Sequence, residues 1–304
     1  MGGRDGMTRR GWLLFAAMCV IWGIPYLMIR VAVRELSPAT LVFGRTAIAA
    51  ALLVPVAAWR GELRPLVRLW VPLVVFSVIE IAVPWLLLNR AETRLTSSLT
   101  GLLIAAVPLV ATVVVRFTGD RERLDRRRLG GLLLGLAGVS ALVGLDLGSA
   151  SPLPLAEVGV VAVCYAVGPI VLARYLSAAP PLGVVAWSLL IAAVIYAVPA
   201  AFQAPHSLPR ASVLASVAGL AVVCTATAFL VFLALIAEAG PVRATVITYV
   251  NPAVAAVLGV AVLGERLTAG MLVGFVLVLA GSFLATGRSQ GPAEGVSEPR
   301  LARA

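Results

Sequence analysis

Apolar residues run along this chain in blocks of about twenty, separated by short stretches that carry almost all of the arginine. A helix that crosses a bilayer needs about 20 predominantly apolar residues. On that basis the pattern predicts ten segments, at 11–30, 37–58, 69–88, 96–115, 129–146, 156–173, 181–203, 210–236, 242–263 and 269–287. The connections between them are short. The segment after residue 287 is polar, rich in Gly, Pro and Ser, and reads as a disordered tail over 288–304.

The blocks are not independent of each other. Pro38 recurs as Pro181, Glu122-Arg123-Leu124 as Glu265-Arg266-Leu267, Gly131 as Gly274 and Gly138 as Gly281, each 143 residues on. Pro55 and Pro199, and Pro108 and Pro252, stand 144 residues apart. The chain therefore reads as two copies of one five-segment unit, over 1–147 and 148–287. Duplicated halves are the ground plan of many secondary transporters. Five spans per copy is an odd number, so the second copy enters the membrane from the opposite side, and the expected fold is all-α with ten transmembrane helices as two inverted repeats.

Composition agrees with a lipid solvent. The chain of 304 residues is 61% hydrophobic and 12% charged, with a mean hydropathy of +1.03. Its net charge of +10 resembles a nucleic-acid signature, but all 24 basic residues are Arg and they lie mostly in the connections. With the N-terminus placed inside, 17 arginines fall on the inner side, 6 on the outer side, and Arg45 lies within a span. Positive loops face the cytoplasm, so the count implies a multi-pass inner (plasma) membrane protein with both termini cytoplasmic, and nucleic acid is not an expected partner. The run after Thr8-Arg9-Arg10 is long enough to span and has no small-residue cleavage site behind it, so it reads as a retained helix.

Few residues are equipped for chemistry. Cys19, Cys164 and Cys224 sit in apolar segments without metal-ligand spacing and read as small buried hydrophobes. His206 is the sole histidine and lies in a connection. There is no His-Glu-x-x-His, no Gly-x-Ser-x-Gly and no phosphate-binding loop, so no cofactor or metal is expected, and any driving force is an ion gradient or the substrate's own.

Glu80 and Arg45 stand near the middles of the third and second segments, where an ionisable side chain is expensive and is normally retained for function or pairing. Their similar depth predicts an ion pair between them, with Glu80 as a substrate ligand or the carrier of a coupling proton. Pro108 and Pro252 fall near the middles of the fourth and ninth segments, in corresponding positions of the two copies. Proline withholds a main-chain donor, and interruptions in matching places point to a central transport site. Asn251 and Tyr249 beside Pro252 are its candidate polar lining. Tyr26, Trp85, Tyr165 and Trp187 read either as lining of a substrate cavity or as packing and an interfacial belt. Gly131-x-x-x-Gly135 and Gly270-x-x-x-Gly274 offer small-residue faces suited to close packing within the monomer. Glu122 and Glu265, at segment ends, read as caps or loop anchors.

Trp22-Gly23-Ile24-Pro25-Tyr26, Leu36-Ser37-Pro38 with Arg45 after it, Pro108, Pro252, Gly264-Glu265-Arg266-Leu267 and Gly274 together resemble the EamA-type members of the drug/metabolite transporter superfamily, over residues 11–287. One departure is Asp120-Arg121 in the first copy where the second has Leu263-Gly264. The resemblance implies a ten-helix inverted-repeat carrier that moves small metabolites, often exporting amino acids or related compounds. An integral membrane enzyme and a lipid-carrier flippase are the competing readings. Expected partners are a small-molecule metabolite, a coupling proton and membrane lipid.

Overall fold

In the computed structural model, residues 7–117, 126–144, 152–244 and 246–286 are described, and they form helices with no strand among them. Glu122 and the expected tail lie outside the described residues. The helices are α1 (Arg9–Ile21), α2 (Ile24–Ala32), α3 (Pro38–Trp59), α4 (Trp70–Ser77), α5 (Val83–Ala91), α6 (Ser97–Ile104), α7 (Val107–Phe117), α8 (Arg126–Gly144), α9 (Leu153–Tyr175), α10 (Pro181–Phe202), α11 (Ala211–Ala221), α12 (Ala228–Ala239), α13 (Pro241–Ala244), α14 (Ile247–Leu263) and α15 (Ala269–Thr286). Several join into longer runs. Eight helical runs are long and apolar enough to cross a membrane. The fifth and ninth expected segments are also helical, as α8 and α14, but fall outside that set; α14 is 17 residues long.

Starts are set by local chemistry. Thr8, Ser37 and Thr96 cap α1, α3 and α6 by accepting from the main-chain amides of Gly11, Thr40 and Leu99. Each satisfies one of the orphan amides of a first turn, a contribution of about 1 kcal/mol. Gly264 ends α14 in the left-handed region at φ 67°, where a side chain would be strained.

Four runs are interrupted rather than continuous. The first breaks at Trp22–Gly23 between α1 and α2. The third passes through a π segment, Val78–Ala82, between α4 and α5, and the run Ala211–Ala239 through another, Val222–Thr227, between α11 and α12. The two π segments begin 144 residues apart, the same offset as the prolines of the repeat. A fourth break, at Ala105–Ala106, separates α6 from α7 just ahead of Pro108. Pro252, by contrast, lies inside α14, which runs unbroken from Ile247. An interruption at Pro252 itself is therefore not present; the helix runs through the ring, which withholds only the one donor that the Thr248 carbonyl would receive.

Packing is arranged in matched pairs. The α3–α10 and α8–α15 contacts each join corresponding elements of the two copies, and swapping the copies exchanges α5–α9 with α1–α12 and α2–α11 with α4–α9. The α3–α10 pair is tied at both ends. Thr40 Oγ1 donates to the Gln203 carbonyl at 3.2 Å, and the Gly183 amide donates to Glu62 Oε2 at 3.1 Å. In the α8–α15 pair, Gly131 lies on the Gly281 main chain and Gly138 on the Gly274 main chain. Gly131 and Gly274 are repeat mates, as are Gly138 and Gly281, so the contact is reciprocal. The small-residue faces thus serve packing within the monomer. The exterior is apolar, with Leu13, Val194, Val198 and Phe283 exposed, while Thr46, Ser77, Thr100 and Thr225 are fully buried. That distribution suits a lipid surround.

The close glycine seam makes a direct prediction. A Cβ at Gly281 would collide with the Gly135 amide and the Gly131 carbonyl, whereas one at Gly130 meets nothing within 4 Å. Gly281→Leu is expected to lower stability by at least about 3 kcal/mol, at the upper end of overpacking costs, and Gly130→Leu to leave it unchanged. Thermal melts of the two variants in detergent decide this.

Candidate functional site

Arg45 sits in the middle of α3, only 8% exposed. Its Nε donates to Thr225 Oγ1 at 2.8 Å, and its guanidinium carbon lies 3.6 Å from the centroid of the Trp85 ring. A desolvated cation over an indole is stabilised by about 2 kcal/mol. Thr225 is placed for this by its π segment, where the widened turn lets the same hydroxyl donate to the Leu220 carbonyl at 2.8 Å. Arg45 is therefore held by one side chain from each half, Trp85 from α5 and Thr225 from the second copy.

The other π segment positions Glu80, and its cause is in the sequence. Pro84 has no amide hydrogen to offer the Glu80 carbonyl four residues back. The helix re-registers there, with the Val83 amide reaching the Val78 carbonyl, five residues back. Tyr196 on α10 donates its hydroxyl to the Ala82 carbonyl at 2.9 Å and braces the segment. π turns are rare and gather at functional positions. Pro84, rather than Pro108 or Pro252, is the signal in the sequence for this feature.

Glu80 does not pair with Arg45. No ion pair joins them among the described residues, because Trp85 and Thr225 already hold the guanidinium. Glu80 points toward α9, where Gly168 makes room; a Cβ there would collide with Glu80 Oε2. That oxygen is buried and has no hydrogen-bond partner. Tyr165, one helical turn before Gly168, lies within electrostatic reach of both Glu80 and Arg45, and Tyr26 on α2 within reach of Tyr165 and Arg45. Arg45, Glu80, Trp85, Tyr26 and Tyr165 thus gather between the copies, joined by Thr225, which sequence reasoning did not single out.

The remaining expected residues lie elsewhere. Trp187 donates its indole N–H to the Leu63 carbonyl at 3.2 Å and packs with Leu66 and Leu73 at the start of the third run. The Tyr249 hydroxyl is 3.3 Å from Thr286 Oγ1 at the end of α15. Asn251, with its amide oriented by its acceptors, donates to the Ile247 carbonyl at 3.0 Å and the Cys19 carbonyl at 3.1 Å. Cys19 would ordinarily receive the Gly23 amide, but that amide turns to Val20 at the α1–α2 break. Asn251 supplies the missing donor, and Gly23 lets Val254 approach.

A second polar centre lies at the start of α6. Glu265 Oε1 accepts from the Ser97 amide at 2.8 Å and its hydroxyl at 3.0 Å, and Oε2 accepts from the Ser98 amide at 2.9 Å and its hydroxyl. Gly259 leaves the space for this contact. A carboxylate suits a helix N-terminus, where free amides and the dipole both favour negative charge. The expected role of Glu265 as cap and anchor is met, and the helix it caps belongs to the other copy. Burial works against its charge, but the Ser98 and Ser97 hydrogen bonds outweigh that and hold the carboxyl below its ordinary range.

Glu265→Ala is expected to cost roughly 2–3 kcal/mol, the scale of losing charge-assisted hydrogen bonds. Because the folded pKa is depressed, this contribution is full above the ordinary carboxyl value of about 4.3 and lost as pH falls through the lower folded value. Melting temperatures of wild type and Glu265→Ala should therefore differ at neutral pH and converge in acid.

Against known proteins, the EamA-like transporter family matches residues 9–144 and again 158–287. The chain is 27% identical over 289 residues to a protein named uncharacterized inner membrane transporter YedA of Escherichia coli strain K12, covering 93% of each. The same likeness holds for its counterpart in strain O157:H7. A solved crystal structure shares the fold, with a TM-score of 0.65 at 21% identity over 91% of this chain and 96% of the other. Two family matches covering most of the chain, on a bundle of apolar helices, place it plainly: the protein is a membrane transporter of the EamA-like transporter family.

Proposed function

We propose that the protein is a secondary exporter of small polar metabolites carrying both an ammonium and a carboxylate, amino acids or close relatives. The observation that carries this reading is the separation of Arg45 from Glu80. Two opposite charges stand in one buried region, each prevented from neutralising the other. The Nε of Arg45 is used by Thr225 and its face by Trp85, which leaves the terminal nitrogens for a substrate carboxylate. Glu80 Oε2 lacks a partner and would accept from a substrate ammonium. Tyr165 and Tyr26 supply the walls between them.

The transport cycle follows from the two copies. Matched helix pairs, reciprocal glycine contacts and π segments 144 residues apart support two inverted five-helix repeats, over 1–147 and 148–287, in a ten-span fold. Rocking of one copy against the other opens the site alternately to each side. The π segments and the α6–α7 break ahead of Pro108 are the places where helices can bend. The arginine count and the inner-membrane name of the YedA relatives support an inner-membrane protein with both termini in the cytoplasm.

The topology is tested by reporter fusions. A reporter joined at residue 290 should be active only when designed for the cytoplasm; activity of a periplasm-specific reporter there would overturn the orientation. The cargo is tested with an amino-acid panel in an export-deficient host. Arg45→Gln and Glu80→Gln should each lower export of the cargo by about 30-fold, the equivalent of one charge-assisted hydrogen bond of about 2 kcal/mol. Trp187→Phe should leave it unchanged. Wild-type rates from both charge-neutral variants would remove the zwitterion site.

A further inference from the structure

Glu92 belongs to neither the central cluster nor the Glu265 cap, yet it is the most enclosed carboxylate in the described structure. It terminates α5 and has 0% exposure, and neither of its carboxylate oxygens has a hydrogen-bond partner. An ionised carboxylate in that condition costs several kcal/mol, whereas a protonated one loses only a neutral hydrogen bond. The nearest cation is not spent on it. Arg30, from the last turn of α2, donates Nη1 to the main-chain carbonyl of Glu92 at 2.5 Å rather than to its side chain.

The other charged groups around this end of α5 do not compete for the carboxylate either. Glu265 is occupied by the four donors of Ser97 and Ser98. Arg90, two residues earlier, is neutralised by Glu157 of α9 at 2.9 Å. Tyr26 of α2 lies within electrostatic reach but is a neutral phenol. Glu92 therefore sits where α2, α5 and α9 meet the loop of the second copy that caps α6, at the seam between the halves.

We propose that Glu92 is a proton-binding site at this seam, holding one proton while the Glu265 cap is closed and giving it to water when the seam opens and Arg30 moves from the Glu92 carbonyl to its carboxylate. The exchange is reversible and balanced: the carboxyl releases H⁺ to solvent, and the new negative charge is met by the guanidinium already alongside. Burial pushes the Glu92 carboxyl well above its ordinary range, Arg30 opposes that, and Glu265 adds to it. The site can hold the coupling proton, a role for which the sequence offers Glu80 as one alternative, and it is independent of the zwitterion reading of the central cluster.

The test is infrared difference spectroscopy of the full chain in lipid nanodiscs, titrated through neutral pH. Wild type should show the C=O stretch of a protonated, buried carboxyl at neutral pH. Glu92→Gln should remove that band and Glu80→Gln should leave it. Arg30→Gln should move its disappearance upward by at least about one pH unit, because removing a nearby cation favours the proton; a purely structural carboxyl beyond reach of Arg30 would not respond. Should Glu92→Gln misfold, Glu92→Asp should shift the band instead. A spectrum unchanged by both Glu92 variants overturns the proposal. So does a band that sodium, but not choline, abolishes at constant pH, since that would make Glu92 a metal-cation ligand.

Discussion

Hydrocarbon offers no hydrogen bonds, so every main-chain group that an interrupted helix releases has to be met from inside the protein. The structure depends on how this constraint is satisfied. At the α1–α2 break the Cys19 carbonyl is met by Asn251 from α14. In the third run the Tyr196 hydroxyl from α10 adds a donor at the Ala82 carbonyl of the π segment. In the run Ala211–Ala239 the Leu220 carbonyl takes the hydroxyl of Thr225 itself. Two of these three contacts come from a partner helix, so the irregular segments are also joints of the bundle. A helix can bend at such a joint only if its partner moves with it, which is the kind of coupling that alternating access requires.

The charges obey the same constraint in a different way. Arg45 is acceptable in the bundle because Trp85 and Thr225 share its cost between the two copies. Glu80 and Glu92 are left with unpartnered oxygens. In a region that water does not reach, such a group is an open valence: a proton or a ligand ammonium satisfies it, and little else on hand does. Glu265 shows the contrasting solution, a carboxylate fully provided for by a helix start. Its place on the second copy and its donors on the first make it a clasp across the seam.

The two copies have diverged in charge while keeping their frame. Arg45 has Ser188 as its mate, and Glu80 aligns with the π segment that carries Cys224 and Thr225. The glycine seam of α8 and α15 stayed reciprocal because main chains that touch admit no side chain. Interior positions such as Arg45 and Ser188, by contrast, differ between the copies.

The sequence by itself determined the class of this protein. Block length and hydropathy dictate membrane helices, the 143-residue recurrence dictates two copies, and Gly131, Gly138, Gly274 and Gly281 announce close packing, because each of these is a property of the chain taken locally or against itself. It also marked Arg45, Glu80, Trp85, Tyr26 and Tyr165, since polar or ring-bearing side chains stand out in apolar runs. Only the tertiary structure decided who meets whom. Arg45 turned to Thr225, 180 residues away, instead of to Glu80 at a similar depth. Trp187, Tyr249 and Asn251 went to a loop, a helix end and a helix break. Depth along a span is written in the sequence, but rotation about the helix axis and the choice of neighbour are set by packing among helices far apart in the chain. The burial of Glu92, an ordinary glutamate at a segment end by sequence, came from the same source: its complete enclosure exists only once the helices have packed.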